Sequence, residues 1–247
     1  MRLSGLSAFA ALAAWFGLMG AAPAPRPVVV ELYTSQGCAA CLKANQTANQ
    51  LAARDDLLVL ALPVDYWDYL GWKDTLARPA FAARQRAYVR RLRLRGVSSP
   101  QMIVDGAAQA SGANRTRIDG LVASARKAQG AAPQMLFRRD GRLAVGSGRA
   151  PKAGADVWLV RFDPRPRRVA VRKGENRGKT VIQRNVVRQL VRLGEWRGSP
   201  AVYRLPQGRT PTLRTYVLLQ QRGGKILGVL AEPPKPVPPP PEPEPVA

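Results

Sequence analysis

The chain has 247 residues, with 39 Lys plus Arg against 16 Asp plus Glu, a net charge of +23 and no histidine. Without histidine there can be no Ser-His-Asp triad, no Cys-His protease pair and no His-based zinc site. The two cysteines alone cannot complete a four-cysteine zinc site or hold an iron–sulfur cluster. The hydrophobic fraction of 46% is typical of a globular protein and excludes a disordered polycation.

The positive charge is mostly arginine, with 31 Arg against 8 Lys, and it is spread through the chain. A compositional bias that also favours solubility explains this distribution. Attraction to anionic lipid, cell-wall polymer or nucleic acid is the alternative, because net charge affects association and not fold.

The first 24 residues are predicted to be an export signal. Met1-Arg2 is a short basic start, an apolar stretch runs from Leu3 to Met19, and small residues follow. An uncleaved membrane anchor is the alternative, since about 17 apolar residues lie at the short edge of a spanning helix. We therefore expect a periplasmic or secreted protein, in a compartment where disulfides persist.

Residues 25–130 are predicted to form one α/β domain. The strands have β-branched, apolar runs, and the helices have apolar residues at helical spacing. The predicted elements are strand 27–33, a helix from Cys38 to about Arg54, strand 57–64, helix 79–95, strand 101–104, strand 107–110 and helix 114–129. This β-α-β-α-β-β-α order predicts a thioredoxin-like domain with a C-x-x-C motif directly after its first strand.

After Gly130 the pattern changes to short strand-like runs separated by Gly, Pro and Asp. We predict a β-rich, sandwich-like region over residues 131–231. The predicted strands are 134–137, 156–162, 169–172, 201–205, 215–220 and 226–230, while residues 180–193 fit a helix face as well as a strand. Residues 232–247 are rich in proline and are predicted to be a disordered tail.

Cys38 and Cys41 are the first candidate catalytic residues. A thiol at a helix start is stabilised as a thiolate by unpaired N–H groups, and a second thiol one turn away can resolve a mixed disulfide. A structural disulfide is the alternative, although closing so short a loop stabilises a fold by only about 1.9 kcal/mol. A Cu(I) site with two thiolates is a further, weaker alternative.

Glu31 and Pro100 are the other candidate catalytic residues. Glu31 alternates with Val29 and Tyr33 in an apolar strand, so it is either a buried proton acceptor for the resolving thiol or the partner of an arginine. Pro100 opens the third strand, in the position of the cis-proline that faces the dithiol in thioredoxin-like folds. Such a proline exposes a backbone edge to which a substrate chain can bind.

A polar and aromatic segment over residues 65–74 is predicted to contribute a substrate-binding rim beside the dithiol. Its candidate residues, with one serine from the Pro100 loop, are Asp65, Tyr66, Trp67, Asp68, Trp72 and Ser99. The alternative is that the aromatic residues only cap the core.

Several of these motifs together resemble the domain-of-unknown-function 1223 family, exported bacterial proteins with a thioredoxin-like fold. The resemblance spans about residues 27–231 and rests on residues 33–41, 64–74, 84–88, 100–106, 174–176 and 185–188. It implies the fold and the dithiol but no established activity. Pro63 stands where such proteins often carry a histidine, so a role for that imidazole cannot apply here.

The sequence thus predicts an exported thiol–disulfide oxidoreductase that acts on a protein or small-molecule thiol or disulfide. A non-enzymatic envelope binding or assembly protein with a structural disulfide is the alternative. We expect no cofactor, no metal, no nucleic acid and no nucleotide, since the P-loop-like segment at residues 174–180 is one residue too short. An anionic membrane surface remains a candidate partner because of the net charge.

Overall fold

The computed structural model describes residues 26–208 and 210–233. The whole predicted export signal, residues 1–24, and most of the proline-rich tail therefore lie outside the described residues. The three helices in the described ranges are α1 (Cys41–Leu51), α2 (Pro79–Arg91) and α3 (Arg115–Lys127). The strands are β1 (Val28–Thr34), β2 (Leu57–Pro63), β3 (Gln101–Val104), β4 (Ala108–Ser111), β5 (Met135–Phe137), β6 (Arg142–Val145), β7 (Ala155–Asp163), β8 (Arg167–Ala170), β9 (Thr180–Gln183), β10 (Val186–Trp196), β11 (Ala201–Arg204), β12 (Arg214–Gln221) and β13 (Ile226–Ala231).

The main element of the fold is one eight-stranded mixed sheet, with the strand order β13-β12-β7-β10-β2-β1-β3-β4. Strand β1 lies parallel to β2 and antiparallel to β3, and its register with β2 runs from Val28 opposite Leu57 to Thr34 opposite Pro63. All residues of β1 and β2 are buried, because helices cover both faces of the sheet at this point.

The alternation predicted for β1 is confirmed. Val28, Val30 and Leu32 pack against α1 and α3 on one face. Val29 and Tyr33 lie on the other face, in a cluster with α2 and with strands from the C-terminal half. Side chains at successive strand positions point to opposite faces, so one short run supplies two hydrophobic cores.

The predicted mixed α/β class and the β-rich character of residues 131–231 are confirmed. The C-terminal strands β7, β10, β12 and β13 extend the same sheet as β1 and β2. A separate three-stranded sheet of β5, β6 and β11 shares a third hydrophobic cluster with β7 and β12. The sheet therefore continues past residue 130, and the proposed division into two domains stays a prediction.

Three of the differences between the predicted and the observed elements have a local reason. Helix α1 begins at Cys41 and not at Cys38, because residues 38–40 form a turn in which the Cys41 N–H donates to the Cys38 carbonyl at 3.1 Å. Helix α2 ends at Arg91, and Arg93 follows with a left-handed φ of 53°. The ambiguous residues 180–193 form β9 and most of β10, separated by a turn with Asn185 at φ 52°.

Glu31 is buried on the α2 face and is paired with an arginine, which was the structural alternative for this residue. Arg84 donates from Nε to Glu31 Oε1 at 2.6 Å, and the Tyr88 hydroxyl donates to Oε2. Gln220 from β12 donates to the same hydroxyl at 2.8 Å. Burial opposes the charged form of Arg84, but the charge of Glu31, the nearby tyrosines and the hydrogen bond to Glu31 together raise the pKa of the guanidinium group.

Arg84→Ala is expected to lower the free energy of unfolding by about 3–5 kcal/mol, because it leaves the Glu31 carboxylate buried without its counter-ion. The exposed Arg86 on the same helix is the matched control, and Arg86→Ala should change stability by less than about 0.5 kcal/mol. Urea denaturation measures both. The double variant Glu31→Leu/Arg84→Met removes both charges and should recover most of the loss. Equal effects of the two single variants would contradict this account.

Candidate functional site

The two cysteines form a disulfide in the segment between β1 and α1. Their Cα atoms are 5.3 Å apart, and only Ala39 and Ala40 between them are exposed. Cys38 and Cys41 themselves are 1% and 0% exposed. We call residues 35–41 the dithiol loop.

The loop before β3 lies next to the Cys38 sulfur of this disulfide. The Ser99–Pro100 peptide bond is cis, and the Cys38 Sγ lies 4.0 Å from the Ser99 carbonyl oxygen. The Ser99 and Tyr66 hydroxyl groups are hydrogen-bonded at 2.5 Å. Gln85 of α2 accepts from the Tyr66 hydroxyl at 3.1 Å and donates to the Ser98 carbonyl at 2.8 Å. Side chains from two other elements therefore fix the backbone beside Cys38.

A buried carboxyl group supports the dithiol loop from the 65–74 segment. Asp74 accepts from the Gln36 N–H at 2.8 Å and from the Leu76 N–H at 2.9 Å. Burial raises the pKa of Asp74 to about 6, although these backbone hydrogen bonds oppose the shift. Trp72 donates from its indole nitrogen to the Gln36 side chain at 2.9 Å, which ties a second residue of the segment to the loop.

The turn between β8 and β9, from the C-terminal half of the chain, forms hydrogen bonds with the dithiol loop. The buried Asn176 donates from Nδ2 to the Gln36 carbonyl at 2.9 Å and to the Cys38 carbonyl at 2.8 Å. The exposed Glu175 accepts from the Ala39 N–H at 2.8 Å. Because buried backbone groups need hydrogen-bond partners, these contacts allow the loop to stay buried without regular secondary structure.

The predicted rim residues are brought to the dithiol loop by different routes. Ser99 and Tyr66 lie next to Cys38, while Trp72 reaches the loop through Gln36. Asp68 accepts from the Asp74 N–H at 3.1 Å and so helps to position Asp74, which is itself hydrogen-bonded to the dithiol loop.

The two remaining rim candidates contribute less to the loop. Trp67 packs against the α2-face core, and its carbonyl oxygen would lie 3.9 Å from a Cβ added at Gly37. Asp65 is half-buried, and its carbonyl accepts from the Asp68 N–H at 3.0 Å.

The structure does not bring Glu31 to the cysteines. Glu31 points to the sheet face covered by α2, where Arg84 and Tyr88 hold both of its carboxylate oxygens. Helix α1, which begins at Cys41, packs on the opposite face through Ala44 and Ala48.

Asp74, Glu175 and Asn176 are among the residues of the site that were not predicted from the sequence. Asp74 belongs to the polar segment that supplied the rim candidates, but nothing in its spacing shows that it is buried. Glu175 and Asn176 belong to one of the short motifs that carry the family resemblance. Their contacts with residues about 140 positions earlier have no signature in a single sequence.

Asp74→Asn is expected to remove a pH-dependent part of the stability. The native carboxyl group, with a pKa of about 6 against 3.8 when unfolded, binds more protons than the unfolded one between these values. Stability from this group is therefore full below about pH 4 and falls by about 3 kcal/mol as the pH rises to 7. Denaturation of both proteins from pH 4 to pH 7 should show this change in their difference. The exposed Asp55→Asn is the control, and a constant difference for Asp74→Asn would contradict the assignment.

Asn176→Ala is expected to speed reduction of the disulfide by dithiothreitol about tenfold or more, because two backbone carbonyls of the dithiol loop lose their donor. Asn49→Ala is the matched control. Asn49 also joins α1 to the C-terminal half, donating to Ile182 and accepting from Arg184, but it does not touch the loop. Thiol release followed by alkylation measures the rates, and equal acceleration by both variants would contradict this role.

No helix in the described part of the chain combines the length and apolar character needed to cross a membrane. Within the same residues, no group of three or more His, Cys, Asp or Glu side chains is placed to hold a metal ion.

Comparison with known proteins places the chain in a family. The fold is similar to the crystal structure of a structural-genomics target protein from Agrobacterium tumefaciens, with 32% identity, a TM-score of 0.69, and coverage of 85% of this chain and 95% of that one. It is also similar in fold to HBP35 of Porphyromonas gingivalis, with 10% identity, a TM-score of 0.53, and coverage of 84% and 75%. No curated protein matches the chain. Residues 29–220 match the family "Protein of unknown function (DUF1223)", and the chain belongs to this family.

Proposed function

We propose that the protein is an exported, thioredoxin-like thiol–disulfide oxidoreductase that uses the Cys38–Cys41 pair. The observation that carries this proposal is the disulfide directly after β1, with the Ser99 carbonyl oxygen 4.0 Å from the Cys38 Sγ.

The arrangement of the first half supports the thioredoxin-like part of the proposal. Its strands have the order β2-β1-β3-β4, with β1 and β2 parallel and the other neighbours antiparallel. Helices α1 and α3 share one face of this sheet, and α2 contributes to the core on the other face.

The chemistry is an exchange of thiols and disulfides that transfers two electrons. In the reducing direction, the Cys38 thiolate attacks a substrate disulfide and one substrate sulfur leaves and takes up a proton. The Cys41 thiolate then attacks the Cys38 sulfur, which releases the second substrate thiol and forms the Cys38–Cys41 disulfide. A dithiol donor returns the two electrons. In the opposite direction, the same disulfide oxidises a dithiol substrate.

In this proposal Asp74, and not Glu31, accepts the proton of the Cys41 thiol. Asp74 is hydrogen-bonded to the backbone of the dithiol loop, and its raised pKa of about 6 lets it exchange a proton near neutral pH. Glu31 is held by Arg84 on the other face of the sheet.

The burial of both cysteines favours a second candidate function. Cys38 is only 1% exposed, and Asp74 and Asn176 hold the loop around it closed. A sealed disulfide of this kind fits a non-enzymatic envelope binding or assembly protein. For the oxidoreductase, the exposed turn Ala39-Ala40 must move before a substrate reaches the sulfur.

Export and partners also remain part of the proposal. The first 24 residues support transport into an oxidising compartment, in which the disulfide would persist. We propose a protein or small-molecule thiol or disulfide as substrate. The charge of +23 supports contact with an anionic membrane surface.

The reduction potential of the Cys38–Cys41 pair, together with turnover, separates the two candidates. We expect a potential above about −300 mV and catalytic reduction of insulin disulfides or oxidation of a model dithiol. Cys38→Ser should abolish turnover, whereas Cys41→Ser should accumulate a mixed disulfide with the substrate because the resolving thiol is missing. A potential below about −300 mV without turnover in either direction would overturn the oxidoreductase and favour the structural disulfide.

A further inference from the structure

A cavity of about 700 Å³ lies between α2 and the strands β7, β10 and β12, and none of its lining residues belongs to the dithiol site. Its volume falls within the range of pockets that bind small molecules, about 300–1,000 Å³. The apolar part of its lining includes Ala83, Ala87, Tyr88, Trp158 and Leu190. The chain thus has a second concave site that the dithiol chemistry does not use.

The aromatic side of this cavity is formed by two rings that pack against a buried arginine. Arg84 lies between the rings of Tyr88 and Trp158, with its guanidinium carbon 5.3 Å and 5.1 Å from their centroids. Glu31 neutralises Arg84. The indole nitrogen of Trp158 is buried and has no hydrogen-bond partner in the structure, although a buried N–H group normally has one.

One edge of the cavity carries an excess of positive charge. Arg90, Arg91 and Arg93, which we call the arginine cluster, line this edge and are exposed. Within the described residues, none of the three forms an ion pair. Arg90 and Arg91 lie in the last turn of α2, where they also offset the partial charge of the helix carbonyls. Arg93 lies beyond the helix end, so the helix dipole does not account for it.

The other charges of the lining are already matched. Asp156 is paired with Arg192 at 2.7 Å, and Arg222 with Glu195 at 3.0 Å. The unmatched charge at the cavity is therefore positive and comes from the arginine cluster. It lies beside an apolar floor, a combination that fits a ligand with an anionic head and an apolar body.

We propose that this cavity binds a single-chain anionic amphiphile, with its acyl chain over Ala83, Ala87 and Leu190 and its head group at the arginine cluster. Guanidinium groups pair with carboxylate or phosphate oxygens through two hydrogen bonds, so the arginine cluster can hold an anionic head group. The same chemistry is available from a free fatty acid or from a lipid extracted from a membrane.

Dodecanoate binding to the full chain tests the proposal, measured by displacement of 11-(dansylamino)undecanoate. We expect saturable binding of dodecanoate and at least tenfold weaker binding of the neutral 1-dodecanol. Arg90→Glu/Arg93→Glu should weaken dodecanoate binding at least tenfold. The matched control Arg86→Glu/Arg117→Glu changes the net charge equally at exposed residues outside the cavity and should leave binding within about twofold.

Filling the cavity separates binding inside it from attraction to the surface. Ala83 is exposed on α2, so Ala83→Trp can occupy the cavity without entering the buried core, and it should abolish dodecanoate binding. Circular dichroism and thermal unfolding check that each variant is folded.

Three results would overturn the proposal: no saturable binding of dodecanoate, equal losses in the two charge-reversed variants, or unchanged binding in Ala83→Trp. Co-sedimentation with phosphatidylcholine vesicles containing phosphatidylglycerol separates the sources of the ligand. If the vesicles bind but free dodecanoate does not, the charged surface and not the cavity recognises the anion, which also overturns the proposal. None of these measurements involves the cysteines, so they are independent of the proposed redox function.

Discussion

The dithiol loop depends on one constraint, which is that its buried backbone must find hydrogen-bond partners outside regular secondary structure. The loop leaves β1 and reaches α1 while residues 35–38 remain buried. The Asp74 carboxylate accepts a hydrogen bond from one backbone N–H of the loop, and the Asn176 side chain donates to two of the loop's backbone carbonyls. Because buried polar groups without partners are costly, the site needs both the 65–74 segment and the β8–β9 turn. The C-terminal half is thus part of the site.

A second buried polar group shapes the opposite face of the sheet. Glu31, Arg84 and Tyr88 lie inside the core between β1 and α2, and Gln220 of β12 completes their hydrogen bonds. A buried ion pair adds little net stability by itself, but removing one partner is costly. This group therefore specifies how α2 and β12 meet at β1, and it also places Arg84 between the two aromatic rings beside the cavity.

Much of the first half could be predicted from the sequence because its signals are local. The β-branched run of β1 predicts a buried strand, and its alternation places Glu31 on one face. The motif spacing locates the dithiol and Pro100 correctly relative to the strands. The start of α1 was wrong by three residues, because a turn of two alanines is as compatible with helix propensity as a first helical turn. Propensity is a weak signal at element ends.

The rest of the site could not be predicted because it depends on contacts between distant parts of the chain. Asn176 has no local feature that distinguishes it from any other turn asparagine, and its role exists only because the β8–β9 turn meets the dithiol loop. The long strand β10 was ambiguous for a similar reason, since its valines pack against neighbours that a single sequence does not identify. Strand propensity reflects such packing more than an intrinsic backbone preference.

The junction between β2 and β10 has a further consequence for how the chain can be divided. The two strands pair at a single register position, Val186 opposite Ala61, and Asn185 adds a side-chain hydrogen bond to the Val59 carbonyl at 2.9 Å. This narrow contact lies along the edge of β2, a strand whose residues are all apolar. Uncovered apolar edges pair readily with other chains. The first 130 residues, expressed without the C-terminal strands, are therefore expected to expose this edge and to aggregate more readily than the whole chain.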